Sequence, residues 1–95
     1  MISSLPCLEL LEKNHSFPCP YLFKIIGKPE NDFTERVIAI VREELLFDFD
    51  PAYQVREAVG GRHVSVTLEP TVQSARQVLT IYRRWSVLDG LVMMF

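Results

Sequence analysis

The sequence predicts a small α+β domain whose elements run strand, helix, strand, strand, helix, strand, with the four strands in one antiparallel sheet. Three observations predict it. A Gly60-Gly61 pair is followed by a cleanly alternating run, two amphipathic helical stretches flank that hairpin, and a short apolar run stands at each end.

Each element has its own signal. Residues 1–16 read as a lead-in, where Leu8, Leu10 and Leu11 could make a turn of apolar helix before the polar residues 13–16. Pro18 and Pro20 then stiffen the chain, because each proline fixes its own φ and turns its predecessor away from helix. Residues 21–26 are an apolar and aromatic run that reads as the first strand, closed by Gly27. After a loop over residues 27–31, Asp32 is the expected N-cap, with Glu35 completing a capping box. Phe33, Val37, Ile40, Val41 and Leu45 recur at helical spacing, which predicts a helix over 33–46.

Asp48, Asp50 and Pro51 end that helix. Residues 52–59 and 62–69 then flank the glycine pair, which supplies the positive φ angles of a tight hairpin turn. In the second run Val64, Val66 and Leu68 share one face, and His63, Ser65, Thr67 and Glu69 share the other. Pro70 stops the strand and Thr71 is the expected cap of a second helix, with Val72, Ala75, Val78, Leu79, Tyr82 and Trp85 as its apolar stripe. Asp89-Gly90 turns the chain into a last strand over residues 91–95. With right-handed crossovers this order folds as a ferredoxin-like βαββαβ sandwich, a four-stranded antiparallel sheet with two helices on one face. Residues 17–95 form that single domain.

The other face of the sheet stays open. Lys24, His63, Ser65 and Thr67 are its candidate residues, with Leu22 and Ile26 beside them. The chain is 48% hydrophobic with a mean hydropathy of +0.13, apolar for 95 residues. Part of that apolar surface is therefore expected to be covered by a second copy, a homodimer through the sheet.

Ten basic and 12 acidic residues give a net charge of −2, which disfavours nucleic acid as a partner, since its affinity comes from neutralised phosphates. The N-terminal residues show neither a signal peptide nor a membrane span, so a cytoplasmic protein is expected. Cys7 and Cys19 form no paired motif, and with only His15 and His63 to join them they make no metal site. Two cysteines without a secretory signal fit a reducing compartment. Cys19 between two prolines could be a reactive thiol, though an inert one is the plainer reading.

Residues 17–27, Phe-Pro-Cys-Pro-Tyr-Leu-Phe-Lys-Ile-Ile-Gly, resemble the opening of the YbeD-like family of small bacterial proteins. The likeness continues through residues 63–67, Gln77-Val78 and Ile81-Tyr82 to Val92-Met93-Met94-Phe95. Gly60-Gly61-Arg62-His63 departs from the family's usual hairpin tip. The resemblance implies a fold akin to the ACT regulatory domains, which bind amino acids or other small effectors and often pair through their sheets. In such domains the effector sits near the loop after the first strand, which here is Gly27, Lys28, Asn31 and Asp32. Gly27 lets backbone approach a ligand, and free amides at a helix N-terminus can hold a carboxylate. Asp32 opposes an anion there and favours an ammonium group. A plain turn and cap is the competing reading.

Catalytic constellations are weak. His63 and Ser65 share a strand face, but a nucleophile also needs an orienting group and oxyanion donors. Glu69 lies roughly 20 Å from His63 along the strand at about 3.3 Å per residue, too far to orient it. Asp48 and Asp50 lack the glycine and distal glutamate of a calcium loop. The outward residues His63, Ser65 and Thr67 include no Phe or Tyr on which RNA bases could stack. Arg76, Arg83 and Arg84 read as a solvated helix face able to dock an acidic protein. The expectation is a non-catalytic regulatory or binding domain, without cofactor or metal, that senses a small effector or regulates a partner protein. The alternative is a pure protein-interaction module with no ligand.

Overall fold

The computed structural model describes residues 6–58 and 60–95, so residues 1–5 of the lead-in and Val59 of the first hairpin run lie outside it. In chain order the elements are α1 (Leu8–Asn14), β1 (Cys19–Pro20), β2 (Phe23–Gly27), α2 (Phe33–Leu45), β3 (Tyr53–Glu57), β4 (Val64–Leu68), β5 (Thr71–Val72), α3 (Ala75–Trp85) and β6 (Leu91–Met94). The main sheet has the order β3-β4-β2-β6 with every neighbour antiparallel, and β1 and β5 form a separate two-residue pair. Each helical crossover thus joins a central strand to an edge, β2 to β3 through α2 and β4 to β6 through α3, and the expected βαββαβ sandwich is what the chain forms.

Period-two patterning sets the layers. Phe23 and Ile25 of β2, Val64, Val66 and Leu68 of β4, and Met94 of β6 are buried on the helix side. Against them pack Phe33, Val37, Ile38, Ile40 and Val41 of α2 and Ala75, Val78, Leu79, Ile81, Tyr82 and Trp85 of α3. Trp85, wholly buried, donates its indole N–H to the Val37 carbonyl at 3.3 Å, which ties α3 to α2. Leu11 of α1 is buried in the same cluster. Arg84, expected on a solvated face, instead reaches across to Glu43 (2.7 Å) and Glu44 (2.8 Å) of α2. These bonds, chiefly that to Glu43, hold its guanidinium above its ordinary pKa.

Local corrections follow from backbone geometry. The first strand begins at Phe23 rather than at residue 21, because the Tyr21 amide is taken by the Pro70 carbonyl (3.0 Å). Asp32 does not cap α2 through its side chain, and no capping box with Glu35 forms. A cap needs extended backbone so that its oxygen can reach the first amides, whereas Asn31 and Asp32 are consecutive left-handed residues (φ +55° and +57°). Helix α2 ends at Leu45, with Leu46 also left-handed. Thr71 is not a cap either. It pairs with Pro20 in the short β1–β5 ladder, and α3 starts three residues after it would from Thr71. The cap is Ser74, whose hydroxyl accepts from the Gln77 amide (3.3 Å), while the Gln77 side chain accepts from the Gln73 amide (2.7 Å).

The hairpin pairs as expected, but its turn is wider than two residues. The Ala58 amide donates to the His63 carbonyl at 2.9 Å, which leaves Gly60, Gly61 and Arg62 of the described residues in the loop. Gly60 and Gly61 do take positive φ, +89° and +68°. The strands stop short of the predicted runs, at Tyr53–Glu57 and Val64–Leu68, so His63 falls outside β4.

Candidate functional site

The face of the sheet away from the helices is built by register. Lys24 stands opposite Thr67, and Thr67 opposite Gln54 on its other side. Two residues along, Ile26 is opposite both Ser65 and Met93, and Ser65 opposite Arg56. Phe95 continues this face, since its amide donates to the Lys24 carbonyl (2.8 Å) and the Lys24 ammonium lies 5.6 Å from the centre of its ring. Lys24, Gln54, Arg56, Ser65 and Thr67 line a hollow of about 500 Å³.

Three of the four expected open-face residues, Lys24, Ser65 and Thr67, come together there. His63 does not line the hollow. It precedes β4, and its carbonyl closes the hairpin neck, with the residue exposed. Gln54 and Arg56 are the members that sequence reasoning missed. All five residues of β3 are exposed, so no alternation marked which of them share a face with Ser65 and Thr67.

The loop after β2 is placed differently. Gly27 ends β2 beneath the Phe33 ring, where an added Cβ would lie 2.2 Å from the ring carbons. The Lys28 amide donates to the Gly90 carbonyl (2.9 Å), and the Asn31 side chain donates to Asp89 (3.1 Å). These contacts join the head of α2 to the turn that leads into β6. Asn31 and Asp32 border a second hollow, of about 350 Å³, between the head of α2 and the hairpin, with Glu30, Glu35 and Glu57 also on its wall.

A third hollow, of about 570 Å³, is apolar, with Leu22, Phe47, Phe49, Pro51 and Tyr53 on its walls. The Phe47 and Phe49 rings stack within it, 5.6 Å apart and 5° from parallel. Both cysteines are free thiols, Cys7 exposed and Cys19 half-buried. Among the described residues no group of three or more His, Cys, Asp or Glu side chains is gathered to hold a metal ion. Nor is any of their helices long and apolar enough to cross a membrane. Asp50, considered above with Asp48, bonds Arg42 at 3.0 Å.

The family described as "Protein of unknown function (DUF493)" matches residues 12–95. The chain belongs to that family. A UPF0250 protein of Shewanella oneidensis is 33% identical over 82 residues, 86% of each chain. Another, from Sodalis glossinidius, is 31% identical over 81 residues, 85% of this chain and 86% of that one. The YbeD-like resemblance read from residues 17–27 is therefore borne out. Among solved structures, the ACT domain from the GTP pyrophosphokinase of Chlorobium tepidum is similar, with a TM-score of 0.56. It is 14% identical and covers 81% of this chain and 97% of that one, a likeness of fold. This DUF493 chain is thus ACT-like in architecture, as the resemblance implied.

Proposed function

We propose that this chain is a non-catalytic regulatory domain that pairs with a second copy along β3 and responds to a small effector held on the same sheet. The observation that carries the pairing is the state of β3. It is an edge strand with all five residues exposed, and it pairs with β4 alone among the described residues. The helices leave even its inner-facing residues in solvent: Tyr53 is 47% exposed opposite buried Leu68, and Val55 is 45% exposed opposite buried Val66. An apolar, unprotected edge is a template for another strand.

Charge selects the register of such pairing. Two copies related by a two-fold axis through Val55 put Gln54 opposite Arg56 and Tyr53 opposite Glu57. An axis through Arg56 would set that cation against itself. The Val55-centred pairing also brings the Phe49–Tyr53 hollow of each copy beside the joint, where it can be covered.

Two positions are open to an effector, and its charge decides between them. Carboxylates surround the hollow beside Asn31 and Asp32, whereas Lys24 and Arg56 border the one over Ser65 and Thr67. Light scattering over a range of concentrations tests the pairing: the expected mass rises from one chain to two, and a Tyr53→Lys, Val55→Lys variant stays at one. A wild-type mass of one chain at the highest concentration would refute it. A thermal-shift screen against amino acids and common metabolites tests the effector, because a ligand of the native state raises Tm by mass action. A screen with no stabilising compound would favour the ligand-free interaction module, for which the apolar Phe47–Phe49 hollow speaks.

A further inference from the structure

We propose that the open sheet face binds a small oxyanion, a carboxylate or phosphate group, over Ser65 and Thr67 and between the side chains of Lys24 and Arg56. This deepens the effector half of the reading above and is independent of pairing along β3. The first support is placement. Lys24 and Arg56 flank β4 from opposite sides, two residues apart in register. With strands about 4.8 Å apart and about 3.4 Å per residue, their Cα atoms stand roughly 12 Å from each other diagonally. Both long side chains can bend inwards from there and meet above the two hydroxyls.

The second support is what these groups lack. Twelve acidic residues are present in the chain, yet the ion pairs among the described residues employ Arg42 and Arg84, not Lys24 or Arg56. Ser65, Thr67 and Gln54 likewise make no side-chain hydrogen bond among the described residues. The hollow is lined by no carboxylate. Five polar side chains with unused donors therefore face one space. Hydroxyl and amide N–H groups can donate to oxyanion oxygens, and a guanidinium can do so in bidentate fashion. The Lys24 ammonium lies 5.6 Å from the centre of the Phe95 ring, on the β6 side of β2, and swings towards β4 to reach the anion.

The third support is size. A hollow of about 500 Å³ falls within the range of about 300–1,000 Å³ typical of small-molecule sites.

The test is an NMR titration of the ¹⁵N-labelled full chain with inorganic phosphate and, separately, citrate, with ionic strength held constant by chloride. The expected result is saturable shifts at the amides of residues 24, 54–56 and 65–67, with a Kd of about 1 mM or tighter for one anion. Lys24→Gln and Arg56→Gln should each weaken binding about tenfold, and Lys24→Arg should retain it. Both side chains are exposed, so the ligand-free Tm of these variants should match wild type, which separates lost binding from lost folding. Shifts that fail to saturate with either anion, or that persist unchanged in both Gln variants, would overturn the proposal. So would shifts centred on residues 28–32. Loss of pairing in light scattering would leave these readouts intact, so the two readings fail separately.

Discussion

The Phe33 ring occupies the space where a Cβ on Gly27 would sit, with ring carbons 2.2 to 2.5 Å from that position. Phe33 is 2% exposed and belongs to the core, so its ring has nowhere to swing. Gly27 has no positive φ to satisfy, and its requirement is purely one of room. The glycine that closes the Phe-Pro-Cys-Pro-Tyr-Leu-Phe-Lys-Ile-Ile-Gly opening thus seats the first residue of α2 on the sheet.

Gly27→Ala should accordingly destabilise by about 1–3 kcal/mol, the usual cost of overpacking. The penalty should shrink when Phe33 is also changed to Leu. A double-mutant cycle by urea denaturation measures that coupling, and additive losses would show that the two residues do not interact.

Capping supplies a second prediction. Ser74→Ala should cost about 0.5–2 kcal/mol because it removes the acceptor for the Gln77 amide. Asp32→Gly should fall within about 0.5 kcal/mol of wild type, since the Asp32 side chain caps nothing and glycine adopts the left-handed backbone freely. Equal losses for the two would contradict the caps described here.

The alkaline limb of stability should depend on Tyr82. Its hydroxyl donates to the Phe95 carbonyl (2.9 Å), so in the 3.3 Å contact with Tyr21 the proton comes from Tyr21. Burial raises the Tyr82 pKa well above its ordinary 10.0, and donation to the Phe95 carbonyl likewise needs the neutral hydroxyl. The folded state therefore favours the neutral phenol. That stability is fully present below pH 10 and is lost as pH rises past the unfolded value towards the folded one. Tyr82→Phe should lose about 0.5–1.5 kcal/mol at neutral pH, with the hydrogen bond, and should flatten the decline above pH 10. An unchanged alkaline slope, read from denaturation midpoints, would contradict this.

Much of the fold was legible because its signals are local. The alternation of Val64, Val66 and Leu68 named the buried face of β4 directly, and all three are buried. The start of α3 was harder: Thr71 directly after Pro70 was the expected cap, whereas Ser74 and Gln77 stand three residues apart as the cap that forms. What decided between them was the pairing of Thr71 with Pro20, 51 positions away in the chain. The candidate site was half legible for the same reason. Lys24, Ser65 and Thr67 stand on strands with one buried face, whereas Gln54 and Arg56 stand on an edge strand without one. Their membership follows from register, and register depended on a hairpin loop wider than the two glycines alone specify.

In the proposed pairing a second copy completes the exposed edge of β3. Amide hydrogen exchange over Tyr53–Glu57, followed as a function of protein concentration, tests it most directly. Pairing predicts that these amides become more protected as concentration rises, while those of β6, the opposite edge, do not change. Exchange of β3 that is the same at every concentration would contradict the account.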